Sequence, residues 1–94
     1  MRALVIDGAA AARELHVGLE REVKALRDSH VAPGLATVLV GSDYASLAYE
    51  RRVRMLAESV GCHYVSARLD VDAEQADLLA VVGGLNTDPR ISGI

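Results

Sequence analysis

Residues 33–43 read P-G-L-A-T-V-L-V-G-S-D, and the rest of the chain arranges itself around them. Leu35 to Val40 is a near-continuous apolar run rich in valine, the habit of a strand covered on both faces in a parallel sheet. Pro33-Gly34 breaks whatever precedes it. Gly41-Ser42-Asp43 turns the chain into a helix from about Tyr44 to Val60, with Gly61 at the C′ place. Upstream, Ala3 to Ile6 forms a short extended segment and Asp7-Gly8 a turn or cap. Ala9 to about Ser29 follows as a helix, because Leu15, Leu19, Val23 and Leu26 recur on one face. Downstream, Cys62 to Leu69 is a second, less apolar strand. Asp70 or Asp72 can cap a third helix to about Asn86, which Thr87-Asp88-Pro89 ends. Gly83-Gly84 costs that helix roughly 2 kcal/mol relative to Ala-Ala. Ile91 to Ile94 (I-S-G-I) begins a third strand. Helix and strand thus alternate. The reading is α/β: a three-layer open parallel sheet with flanking helices and right-handed crossovers, incomplete at its C-terminal end.

Composition narrows the function classes. The 94 residues carry a formal charge of −3, with three Tyr, no Trp and no Phe. A nucleic-acid binder needs a basic face and stacking rings, so that class is disfavoured. A hydrophobic content of 51% is too high for disorder. The apolar stretches are far shorter than the ~20 residues that span a bilayer, and the start is too short for a signal peptide. One cysteine, Cys62, forms neither an internal disulfide nor a zinc site, which makes a reducing cytoplasm the expected compartment. The 27 Leu, Ile and Val residues suffice for a core. Of ten basic residues nine are Arg, and Lys24 is the only amine side chain.

Ligands of open α/β sheets bind outside the carboxyl ends of the strands. After Val40 that region carries Ser42, Asp43, Ser46 and Tyr49 near the start of the second helix, where free N–H groups favour anions and polar ligand atoms. Ser42 or Asp43 can equally serve only as the helix cap. Neither G-x-G-x-x-G nor G-x-x-x-x-G-K-[ST] is present. Arg51, Arg52 and Arg54 read as a solvated face or as partners for an anionic ligand tail. Glu50–Arg54 and Glu20–Lys24 have i,i+4 ion-pair spacing. His16, His30 and His63 lack metal-ligand spacing, so no metal is expected. Cys62, at a strand start, reads as a small buried apolar residue.

These motifs resemble a known family. A lead ending I-D-G, then P-G-L-A-T-V-L-V-G-S-D, then A-S-x-x-Y, then a terminal L-N-x-D-x-x-I-x-G-I are similar to the bifunctional methylenetetrahydrofolate dehydrogenase/methenyltetrahydrofolate cyclohydrolase family, in register from Ile6 to Ile94. The resemblance implies that residues 1–94 are the N-terminal part of a folate-binding catalytic domain. The NADP-binding Rossmann domain, and the strand that completes the folate pocket, would lie outside this chain. It implies a tetrahydrofolate derivative as substrate, NADP as the cofactor of a homodimeric parent, and a place in one-carbon metabolism and purine biosynthesis. Tyr49 falls on the tyrosine of the family's Y-x-x-x-K motif, which stacks on and orients the pterin side of the folate. Ser46 falls on the serine lining the same pocket.

The motif lysine is missing. Position 53 is Val53, within Tyr49-Glu50-Arg51-Arg52-Val53-Arg54. Hydrolysis of the methenyl bridge needs water activated and protons moved near neutral pH, which a desolvated amine can do and valine cannot. The flanking Arg52 and Arg54 stay charged and are poor bases. Ala45, Tyr49, Val53, Leu56 and Val60 form one helical stripe, so Val53 also simply extends an apolar face. The expectation is a dehydrogenase whose cyclohydrolase step is doubtful, with the 94 residues alone inactive. The alternative is a non-catalytic, divergent or truncated domain that serves as a folate-binding or assembly module.

Overall fold

The computed structural model describes residues 2–94. The element order is α1 (Gly8–Asp28), β1 (Gly34–Val40), α2 (Tyr44–Ser59), β2 (His63–Leu69) and α3 (Gln75–Thr87). β1 and β2 run parallel in the register Gly34↔His63 through Val40↔Leu69. A parallel bridge joins Leu35 to Gly93, so the chain's last residues start a further strand beside β1. The α/β class with a parallel sheet is what the structure shows.

Helix boundaries follow from local chemistry. Asp7 caps α1, its carboxylate accepting from the Ala10 N–H at 3.1 Å. Asp43 caps α2 in the same way, accepting from the Ser46 N–H at 3.2 Å. Both helices end in a Schellman turn. In α2 the Cys62 N–H donates to the Ala57 carbonyl and the Gly61 N–H to the Glu58 carbonyl, with Gly61 at φ +90°. In α1 the corresponding donors are Val31, to Leu26, and His30, to Arg27. There the left-handed place is held by His30 at φ 63° rather than by glycine.

Residues 3–6 lie outside the sheet, with Leu4, Val5 and Ile6 in solvent. Two local expectations need correction. α3 is capped neither by Asp70 nor by Asp72. Those residues belong to a turn closed by the Ala73 N–H on the Asp70 carbonyl, and Asp77 reaches back to the Glu74 N–H at 3.0 Å instead. Glu20 does not pair with Lys24. It takes His16 Nδ1 at 2.8 Å, while Lys24 turns toward the helix C-terminus and meets Asp28 at 3.5 Å.

The larger difference lies in the core. Among the described residues the buried apolar side chains are Val23, Ala36, Ala57 and Val60. The Cα radius of gyration is 16.7 Å, where a compact chain of this length has about 12 Å. α2 packs on the β1–β2 pair, but most of the stripe on α1 finds no partner: Val23 is buried while Leu15 is 69% exposed. The leucines and valines are present in number, but the surfaces that would cover them are not within these residues.

Candidate functional site

The site is built where α2 crosses β1. Residues 46, 49, 50 and 53 lie at i, i+3, i+4 and i+7 and so share one helical face, and all four line a cleft of ≈ 590 Å³. Leu35, Thr37 and Leu39 of β1 form its floor, and Ile94 closes one side. The two sequence-predicted residues, Ser46 and Tyr49, are therefore brought together, and Val53 stands with them. Tyr49 is 72% exposed, so its ring is no core aromatic and presents a face on which a flat ligand can stack. Ser46 is half-buried, and its hydroxyl donates to the Asp43 carboxylate at 3.4 Å. Val53 also borders a second, apolar groove of ≈ 580 Å³ between α1 and α2, with Val23, Leu56 and Cys62.

The α2 N-terminus differs from the anion site that the sequence allows. Asp43 already occupies it through the Ser46 N–H. Its negative charge there satisfies the helix end and opposes a second anion. Ser42 is exposed and does not line the cleft.

Sequence reasoning missed a hydrogen-bonded chain at the base of the cleft. Tyr64 of β2 donates its hydroxyl to Glu50 Oε1 at 2.7 Å. Arg54 donates to the same oxygen at 3.0 Å and lies 5.6 Å from the centre of the Tyr64 ring. Thr37 Oγ1 is 2.6 Å from the Tyr64 hydroxyl. The Tyr64 hydroxyl holds the Glu50 carboxyl below its usual range, against the opposing effect of desolvation, with Ser66 and Arg54 assisting. Tyr64 itself is pushed up, first by desolvation and then by the Glu50 carboxylate. The i,i+4 spacing reveals Glu50–Arg54. Nothing local reveals Tyr64, because its place opposite Leu35 is set by the register of β1 with β2. Thr37 had one signal: it is the single polar residue in an otherwise apolar strand.

Other candidates stay apart. Arg51 and Arg52 are exposed. Cys62 is half-buried rather than sealed in. Among the described residues no three His, Cys, Asp or Glu side chains converge in a way that could hold a metal ion, and no helix is long and apolar enough to cross a membrane.

Comparison with known proteins gives this cleft a lineage. A family model described as tetrahydrofolate dehydrogenase/cyclohydrolase, catalytic domain, matches residues 6–94. The bifunctional protein FolD 3 of Rubrobacter xylanophilus is 60% identical over all 94 residues, which span 30% of that protein. The bifunctional protein FolD of Bacillus subtilis is 38% identical over the whole chain, which spans 33% of it. Among solved structures, the FolD methylenetetrahydrofolate dehydrogenase/cyclohydrolase of Campylobacter jejuni superposes with a TM-score of 0.90 at 28% identity, covering 94% of this chain and 31% of that one. The Trypanosoma brucei FolD, in complex with NADP and an inhibitor, superposes with a TM-score of 0.88 at 32% identity, covering 100% of this chain and 33% of that one. The chain thus spans about a third of the length of the relatives it matches. With the family model matching residues 6–94, nearly end to end, this chain belongs to the tetrahydrofolate dehydrogenase/cyclohydrolase family.

Proposed function

We propose that residues 1–94 form the N-terminal, folate-binding part of a methylenetetrahydrofolate dehydrogenase of one-carbon metabolism in which methenyl hydrolysis is lost or badly impaired. The carrying observation is the joint placement of Tyr49, Ser46 and Val53 on one wall of the cleft. Tyr49 offers an exposed ring for the pterin side of a folate, and Ser46 lines the same wall. The position from which an amine would serve hydrolysis holds a half-buried valine, which carries no proton. Hydride transfer depends chiefly on holding the methylene carbon in place and survives that change.

NADP does not fit the described residues. Asp43 sits on the N-terminus of α2, where a pyrophosphate would meet a like charge. We therefore assign the cofactor site to a further domain of a longer, homodimeric, cytoplasmic protein. The exposed apolar residues of α1, Leu15 and Leu19 among them, support this, because such faces need a cover. The test is titration of that longer protein with tetrahydrofolate, read by tyrosine fluorescence. Tyr49→Ala removes a stacking contact worth about 1 kcal/mol and weakens binding roughly fivefold. Unchanged affinity in this variant would contradict the proposal.

A further inference from the structure

The chain at the base of the cleft has a direction. An ionised carboxylate only accepts hydrogen bonds, so the one proton on the Tyr64 hydroxyl goes to Glu50 Oε1. The Thr37–Tyr64 bond at 2.6 Å then requires the Thr37 hydroxyl to donate to Tyr64. Every proton in the chain is thereby turned away from the cleft. Both Thr37 and Glu50 line the cleft, and what they retain on that side are acceptor lone pairs. The Arg54 donor also ends on Oε1, and Ser66 adds a further side-chain hydrogen bond to the carboxylate. A carboxylate accepts about four, so acceptor capacity remains. The Glu50 side chain is only 11% exposed, so its remaining access is narrow, and Tyr64, Ser66 and Arg54 fix its position. Fixed polar groups in an otherwise apolar wall set the orientation of a ligand.

We infer that Glu50, with Thr37 beside it, is a specificity-determining residue of the cleft that accepts hydrogen bonds from the N–H or amino groups of a neutral heterocycle lying against Tyr49. This rests on the proposed folate reading and adds to it the polar groups that would hold the edge of the ring. The ring, with its several N–H donors, goes to the floor. The anionic glutamate tail is disfavoured there, because a second carboxylate would face the like charge of Glu50.

The experiment uses the full-length protein and two probes: tetrahydrofolate, and 6-methyltetrahydropterin, which keeps the ring and lacks the tail. Glu50→Gln is expected to weaken both by the same factor, about tenfold, the loss of one charge-assisted hydrogen bond. Thr37→Val is expected to weaken both about threefold. Tyr64→Phe cuts the protein side of the chain but leaves the carboxylate in the cleft. It is expected to lower the melting temperature and to weaken 6-methyltetrahydropterin binding about threefold, clearly less than Glu50→Gln does, because Glu50 keeps its charge and its Arg54 partner but loses one support. A purely structural Glu50 would make Tyr64→Phe as damaging to binding as Glu50→Gln, and that result overturns the inference. So does native affinity in Glu50→Gln and Thr37→Val, a loss confined to tetrahydrofolate, or unmodified protein that binds tetrahydrofolate but not the ring alone. If the unmodified protein binds neither probe, the folate reading itself fails.

Discussion

Gly34 is the point where the last residues of the chain dock on β1, and Gly34→Ala tests that docking. A Cβ built on Gly34 would overlap the Arg90 carbonyl oxygen and lie 2.9 Å from its carbon. Both are backbone atoms, so no rotamer change relieves the contact and residues 90–93 must withdraw. That withdrawal threatens three hydrogen bonds. The Gly34 N–H donates to Ser92 Oγ at 3.1 Å, and the Ser92 and Gly93 N–H groups donate to the Gly34 carbonyl at 2.7 and 3.2 Å. The Ala36 N–H bond to the Gly93 carbonyl at 2.9 Å is at risk with them. At about 1 kcal/mol each these are worth about 3–4 kcal/mol. The reduced freedom of alanine in the unfolded chain returns up to about 1 kcal/mol. A net loss of about 2–3 kcal/mol follows, to be read from urea unfolding midpoints against Gly18→Ala. Gly18 sits within α1 with nothing within 4 Å of its would-be Cβ, so that control should gain about 0.5–1 kcal/mol. Because Ile94 closes one side of the cleft, Gly34→Ala should also weaken ligand binding. A Gly34→Ala protein as stable as the unmodified one would refute the docking described here.

Other consequences follow from the same contacts. Gly83 and Gly84 lie inside α3 with open space around both would-be Cβ positions; replacing both by alanine should stabilise the protein by roughly 2 kcal/mol in the same urea assay. Arg90 hydrogen bonds hold Asp88 at about 2, below its ordinary 3.8, and Glu50 is lowered as well. Carboxyls depressed in the folded state stabilise it above their unfolded pKa, and that contribution disappears as pH falls through the folded value. Stability should therefore decline between about pH 4 and pH 2, and Asp88→Asn should flatten part of that decline in urea midpoints measured across the range.

What the sequence made legible was local. β1 is visible because Leu35 to Val40 is apolar and valine-rich, and α2 because Asp43 and Gly61 bracket it with chemistry that needs no tertiary context. Ser46, Tyr49 and Val53 could be grouped because helical periodicity places them on one face. The Thr37–Tyr64–Glu50 chain could not be read, since it depends on strand register, and hydrogen bonds between elements leave no periodic trace. The α3 cap was missed for a related reason. Asp70 and Asp72 have the right chemistry, but the turn at Asp70–Ala73 delays the helix until Glu74. Burial was overestimated because an apolar stripe shows which face seeks a partner and not where the partner comes from. Leu15 and Leu19 on α1 carry the right spacing and stand in solvent.

The central claim is that the valine at position 53 separates two activities that the family combines. The decisive measurement is methenyltetrahydrofolate hydrolysis and methylenetetrahydrofolate oxidation, assayed side by side in the full-length protein and its Val53→Lys variant. Proton transfer by a positioned side chain contributes about 10²- to 10⁴-fold. The account predicts that the unmodified protein oxidises methylenetetrahydrofolate, and that Val53→Lys raises its hydrolysis at least about 100-fold with oxidation little changed. Hydrolysis by the unmodified protein at a rate that Val53→Lys does not improve would contradict it.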